Sequence, residues 1–378
     1  MIRRRLLLSA TAAAMAALAR PSIAAESRNK WILGQSAAFS GPAKELGEQF
    51  KIGAELCFSR VNARGGVGGR LIELHSLDDG YEPERCAANT RKLIDDGVFA
   101  LFGYIGTPTS LAALPLATAA GVPFIAPVTG AEALRTPFNR NVFHVRASYL
   151  QETAEIVKQL TAVGVKRIAV FHQNDAYGLA GLDGVTRALA ALGLKPTGRG
   201  TVERNSVDVA AAVKSVTQEQ PEAIVQIGAY RACAAFIRAA RATGFRGVFY
   251  NVSFVGTKAL ADELGADAQG VVVSQVMPYP FSPSKPIVGE YLAAAKQSHG
   301  DAFEPSYGSM EGYIAAKVLV DGLRRAGSNT TADGLVAGLE SMHDFDLGGY
   351  FVDFSAQKHV GSRFVDMTIL DGQGRVRR

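Results

Sequence analysis

The chain has 378 residues, 48% of them hydrophobic and 20% charged, a composition that folds but exceeds what one ordinary hydrophobic core accommodates, so two lobes are expected. Four of its 40 basic residues fall before position 21, and the other 36 balance the 35 acidic residues to within one charge, which leaves no electrostatic footprint for nucleic acid. With only Cys57, Cys86 and Cys233, a disulfide framework is excluded and three free thiols are expected.

At the start, Arg3, Arg4 and Arg5 precede an apolar run from Leu6 to Leu18 and then Ser22-Ile23-Ala24-Ala25, the layout of a secretory signal peptide. The run is shorter than the roughly 17–25 apolar residues of a membrane span. Residues 1–25 are therefore expected to be removed on export to the periplasm. Arg4-Arg5 followed by leucines suits the twin-arginine route, and the general secretory route fits as well. No cysteine stands at the cleavage site, so no lipid anchor is expected there.

From Lys30 onward, β-rich runs alternate with helical stretches, the pattern of parallel βαβ units. Strands are expected near 31–37, 70–77, 99–104, 123–126, 167–172, 196–202, 222–227, 248–252 and 271–276. Pro42, Pro83 and Pro108 sit where a first helical turn tolerates proline. Thr129-Gly130-Ala131-Glu132 and Ser148-Tyr149-Leu150-Gln151 both read as capping boxes, in which side chains satisfy the first free backbone N–H groups. Leu111 to Val128 is apolar, but Pro115, Pro123 and Pro127 divide it into a helix and a buried strand. After about residue 280 come helices near 285–299, 307–326 and 332–342, then β runs near 350–354 and 363–370. Strands this late point to a chain that returns to complete both lobes. The fold class is α/β, with two doubly wound, Rossmann-like lobes.

The chemistry of catalysis is not legible. His75, His144, His172, His299, His343 and His359 are dispersed without metal-ligand spacing, and neither a nucleophile elbow nor a Walker A loop occurs. The glycine-rich Arg64–Gly69 stretch precedes a strand rather than linking strand to helix. Asp78-Asp79 ends a strand where a ribose-binding acid could stand, but the first strand lacks the glycine turn of a dinucleotide site. No metal, no cofactor and no enzymatic activity are expected.

In open α/β sheets, ligand sits beyond the carboxyl ends of the strands, where helix N-termini present free N–H groups. The strongest such turn is Phe102 to Ser110, with Thr107 expected to cap a helix that has Pro108 at its first position; Thr107 and Thr109 offer hydroxyls suited to a carboxylate. Val128, Thr129 and Gly130 end another strand. Tyr177 and Tyr230 follow later strands, where each could close over a solute or simply pack. Tyr250 to Gly256 is a further turn of this type.

Leu33-Gly34-Gln35-Ser36 with Ser40-Gly41-Pro42, Asn62 to Arg70, the Gly103–Ser110 turn, Asp175-Ala176-Tyr177-Gly178, Ser309-Met310-Glu311-Gly312-Tyr313 and Leu347-Gly348-Gly349 together resemble the branched-chain amino acid-binding family of periplasmic solute-binding proteins. The resemblance runs through nearly the whole chain beyond the leader. It implies two lobes joined by three crossings, near 145–148, 276–280 and 350–354. One lobe then comprises 26–146 with 277–350, the other 147–276 with 351–378. It also implies a monomer that closes like a hinge on a small solute and docks on an ABC permease. By position, the family's carboxylate-binding hydroxyl falls on Thr107, its strand-end contacts on Val128, Thr129 and Gly130, and its tyrosines on Tyr177 and Tyr230.

The acid that holds a ligand's ammonium in the amino-acid binders falls here on Ser253. A hydroxyl does not replace a buried carboxylate, because an unpaired buried charge costs about 3–5 kcal/mol. The expectation is a carboxylate-bearing solute other than a routine amino acid, unless Asp79, Asp175 or Glu311 supplies the acid from another direction. A periplasmic sensor using the same closed form is the alternative role, and an enzyme on this fold a remoter one.

Overall fold

The computed structural model describes residues 29–378; the expected signal peptide lies outside them. Strand β1 (Lys30–Ala37) is followed by a short turn at 41–43 and helix α1 (Lys44–Asn62), then β2 (Leu71–Asp78), α2 (Pro83–Asp95), β3 (Ala100–Phe102), α3 (Thr107–Ala120), β4 (Phe124–Ile125) and β5 (Val142–Phe143). These strands form one parallel sheet in the order β2-β1-β3-β4-β5. Its faces alternate: Leu33, Ala100 and Phe102 pack with the α1 side chains Phe50, Leu56 and Cys57, whereas Leu101 and Phe124 pack with Cys86 and Leu93 of α2. Cys57 and Cys86 thus lie on opposite faces, as right-handed crossovers require. All three cysteines are buried and unpaired.

The chain then builds a second lobe from α4 (Tyr149–Ala162), β6 (Ile168–Gln173), α5 (Ala176–Ala190), β7 (Arg199–Val202), α6 (Ala210–Thr217), β8 (Ala223–Ile227), α7 (Tyr230–Ala242), β9 (Val248–Asn251), α8 (Thr257–Leu264) and β10 (Val272–Gln275). Its parallel strands run β7-β6-β8-β9-β10, the same second-first-third order as in the first lobe. Ser148 caps α4 with the reciprocal Gln151 contact expected of a capping box.

Returning to the first lobe, the chain forms α9 (Pro286–His299), α10 (Tyr307–Ala326) and α11 (Ala332–Glu340). Helix α10 packs backbone to backbone on α1. A Cβ on Gly53 would stand 1.8 Å from the Ser309 carbonyl oxygen, and one on Gly312 would stand 2.0 Å from that of Phe50. These glycines account for Ser309 to Tyr313 as a packing motif and fix where Glu311 points.

The third crossing comes later than the sequence suggests. Residues 350–354 do not pass between the lobes: Phe351-Val352 (β12) pairs back on Phe345-Asp346 (β11) through the Gly348-Gly349 turn, where both glycines have positive φ. Val360 still bridges His144 beside the first sheet. The chain passes over between Val360 and β13 (Asp366–Leu370), which pairs antiparallel to β10, and β14 (Val376–Arg377) closes that edge. Tyr350 ties the crossings together, its hydroxyl reaching the carbonyls of Val145 at 2.9 Å and Val276 at 3.3 Å.

Candidate functional site

The first crossing sets an arginine between the lobes. Arg146 lies between β5 and α4 in backbone and is 1% exposed in side chain and main chain together. Its Nη1 stands 3.5 Å from Glu311 Oε1 on α10, its Nη2 3.5 Å from Glu152 Oε1 on α4, and Nη2 also donates to the Ser253 hydroxyl. Burial works against the charge, but the two carboxylates outweigh it and hold the guanidinium above its usual pKa. Glu152 is satisfied within the second lobe, where Oε2 accepts from the Ser253 N–H at 2.8 Å and the Ser274 hydroxyl at 2.6 Å. Glu311 has no such hydrogen bonds, and burial pushes its pKa up despite Arg146.

Arg146, Ser253 and Glu311 line one cavity with Gln49 and Val128 of the first lobe and Gln275 at the second crossing. Its volume is about 50 Å³, room for a few water molecules. A solute the size of an amino acid therefore requires the lobes further apart or a side chain turned aside. Phe254 lines this cavity and touches aromatic rings of both lobes, packing against Tyr81 of the first (centroids 5.9 Å apart) and Tyr177 of the second (4.7 Å).

Of the residues expected from sequence, Val128 and Ser253 stand on the cavity wall. Thr107 and Thr129 meet each other, hydroxyl to hydroxyl at 2.6 Å. Thr109 turns its hydroxyl to the Ile105 and Gly106 carbonyls of its own helix start. Gly130 accepts the Tyr149 N–H at 2.8 Å and has no space for a Cβ, which would meet that same nitrogen at 2.5 Å. Tyr177 also packs on Tyr149, at 5.3 Å. Tyr230 begins α7, buried beside the Glu45 backbone of the first lobe.

Two local expectations need correction. Gly106, at φ +97, occupies the N-cap of α3, and Thr107 is the first helical residue. The Tyr81 ring explains the shift, because it lies where a Cβ on residue 106 would come within 2.2 Å. Thr107 does not cap and is free to bond Thr129. Nor does Thr129 form a capping box with Glu132: residues 132–134 make only a 3₁₀ turn capped by Ala131, and Thr129 Oγ1 accepts from the Ala131 N–H at 3.1 Å in a tight side-chain turn.

Three acids were alternatives to an acid at 253. Asp79 is held inside the first lobe by the Ser36 hydroxyl at 2.7 Å and the Tyr81 N–H at 2.8 Å, and burial pushes it up to about 6. Asp175 caps α5 and faces Arg204 at 3.5 Å. Glu311 alone of the three lines the cavity. Sequence reasoning passed over Arg146, Glu152 and Phe254. The available signal was an arginine closing the apolar run Val142-Phe143-His144-Val145.

The lobes also meet outside the cavity. On the second lobe Arg204 pairs with Glu82 at 2.8 Å, and the Asn205 amide donates to Glu82 at 2.7 Å and to the Gly80 carbonyl at 3.0 Å. Lys258 reaches Glu304 at 2.8 Å. Among the described residues no cluster of His, Cys, Asp and Glu suits a metal ion, and no helix is long and apolar enough to cross a membrane.

The family model of the periplasmic binding proteins matches residues 31–374. A possible leucine/isoleucine/valine-binding protein from Rhodopirellula baltica SH 1 is 34% identical, with 93% of this chain and 97% of that one covered and a TM-score of 0.88. A substrate-binding periplasmic protein from Ralstonia solanacearum is 30% identical, with coverage of 91% and 99% and a TM-score of 0.86. The Leu/Ile/Val-binding protein of Escherichia coli (strain K12) is 26% identical over 273 residues, 70% of this chain and 73% of that one. With its two parallel-sheet lobes and a cavity between them that Arg146 and Glu311 line, the chain belongs to the periplasmic binding protein family, in its type I fold and among the relatives of the branched-chain amino acid binders.

Proposed function

We propose that the protein is the exported solute-capturing component of an ABC uptake system. Its lobes close on a small carboxylate-bearing solute, an amino acid or related organic acid, and the closed monomer delivers that solute to a permease in the cytoplasmic membrane without transforming it. The observation that carries this reading is the cavity itself: both lobes and two crossings contribute to it, so occupancy and closure are one event. Arg146 sets a guanidinium, shared with Glu152 and Glu311, at that cavity, and the Thr107–Thr129 pair supplies hydroxyls for a carboxylate beside the N-terminus of α3. In the open form those hydroxyls, with Thr109, Val128, Gly130, Tyr177, Tyr230 and Ser253, become the solute-facing set.

The test is mass spectrometry of the solute that copurifies with the protein, followed by calorimetry and small-angle scattering with that solute. A small acid that binds with one-to-one stoichiometry and contracts the molecule supports the reading. Turnover of the solute, or binding without contraction, counts against it.

A further inference from the structure

The cavity carries a charge imbalance that says more about the solute, on the reading that a solute is captured there. Arg146 is shared by two carboxylates, those of Glu152 and Glu311. The other buried guanidinium nearby, Arg135, keeps its charge but does not line the cavity, and it donates to the backbone carbonyls of Thr129, Ala131 and Arg146. Across the cavity, Glu45 adds an acid, and Lys258 is engaged by Asp262 at 2.6 Å and Glu304 at 2.8 Å. Tyr307 on the wall and Tyr350 behind it add no charge near neutrality. On the cavity wall one guanidinium thus pairs with two carboxylates, and of those two it is Glu311 that lines the cavity and takes no hydrogen bond from its own lobe.

We propose that Glu311 is the specificity-determining residue of the site and binds a protonated amine of the solute, doing from the first lobe what an acid at position 253 would do from the second. A solute with a carboxylate and no amine would set a third anion against one guanidinium. An ammonium brings the missing positive charge, and its own carboxylate can then turn toward Thr107 and Thr129 at the α3 N-terminus. The Ser253 hydroxyl is already engaged by Arg146, so serine at 253 is part of the arginine's setting and not a lost acid. Gly53 and Gly312 hold α10 hard against α1, so the carboxylate has a fixed address. Because Glu311 belongs to the first lobe, the amine docks there before closure.

The experiment compares L-leucine, L-valine and L-phenylalanine with 4-methylpentanoate, 3-methylbutanoate and 3-phenylpropanoate, which lack the amine, by calorimetry on protein stripped of solute. The wild type is expected to prefer the amine-bearing member of at least one pair by about tenfold or more. Glu311→Gln is expected to weaken that member by roughly 10- to 100-fold and to bind its deaminated counterpart no worse than the wild type does. Glu311→Asp, which keeps the charge, should retain more amine binding than Glu311→Gln. Equal binding of both series by the wild type, a copurified solute without an amine, or a folded Glu311→Gln protein with undiminished amine affinity overturns the assignment and leaves solute capture standing. Failure of any solute, copurified or added, to bind and close the lobes overturns the capture reading itself. The wild-type comparison needs no variant to fold.

Discussion

Glu82→Ala should weaken solute binding although Glu82 lies outside the cavity. In the closed molecule its carboxylate takes Arg204 at 2.8 Å and the Asn205 amide at 2.7 Å from the opposite lobe. The side chains of Glu82 and Arg204 are 38% and 23% exposed, so water screens the ion pair to about 1 kcal/mol at most. The amide hydrogen bond adds about 0.5–1 kcal/mol. Neither contact exists when the lobes part, so the loss of about 1–2 kcal/mol falls on closure alone. Apparent affinity should drop about 5- to 30-fold. The drop should appear as faster dissociation in stopped-flow fluorescence, because the contacts hold the closed complex and do not guide encounter. Lys258→Ala removes the more exposed contact to Glu304 and should cost less than about threefold. Affinity within twofold of the wild type for Glu82→Ala, or a loss carried by slower association, would refute the reasoning.

Gly312→Ala forces a methyl into the Phe50 carbonyl oxygen at 2.0 Å; α1 and α10 must separate, and a loss of at least about 1–3 kcal/mol is expected in denaturant unfolding. Asp79 has its folded pKa raised to about 6 by burial, above the unfolded value of about 3.9. Its contribution is present below pH 4 and disappears as pH rises through 6, so stability should fall by about 2–3 kcal/mol over that window and Asp79→Asn should flatten the decline. Burial pushes the Cys57 thiol up to about 12 and those of Cys86 and Cys233 higher still. At pH 8 a thiol reagent should label none of them in the native protein and three after unfolding.

How much of this was legible in the sequence follows from what each feature depends on. Most of the strands and the helices at 307–326 and 286–299 rest on local periodicity, and the Ser148 capping box on four adjacent residues, so these could be read directly, whereas the two-residue strands β5, β11 and β14 carry too little pattern and were not expected. Thr107 was misplaced by one position because its cap was decided by Tyr81, 26 residues upstream, whose ring admits only glycine at 106. The third crossing was placed too early because Phe351-Val352 looks like any short strand. Only the pairing with Phe345-Asp346 across two positive-φ glycines shows it to be a hairpin.

Arg146 is the clearest case, since a buried arginine has no local signature of its own. It is tolerated only because Glu152, six residues on, and Glu311, on a helix from the other end of the chain, arrive beside it. The same dependence changes the meaning of Ser253. Read from the family resemblance alone, it stands where an acid was expected; beside Arg146 it is a hydroxyl that an acid could replace only by adding a third carboxylate to one guanidinium. On the assignment proposed above, the ligand's counter-charge comes from Glu311 on the first lobe, and substituting position 253 with glutamate should disturb Arg146 before it creates any ammonium site.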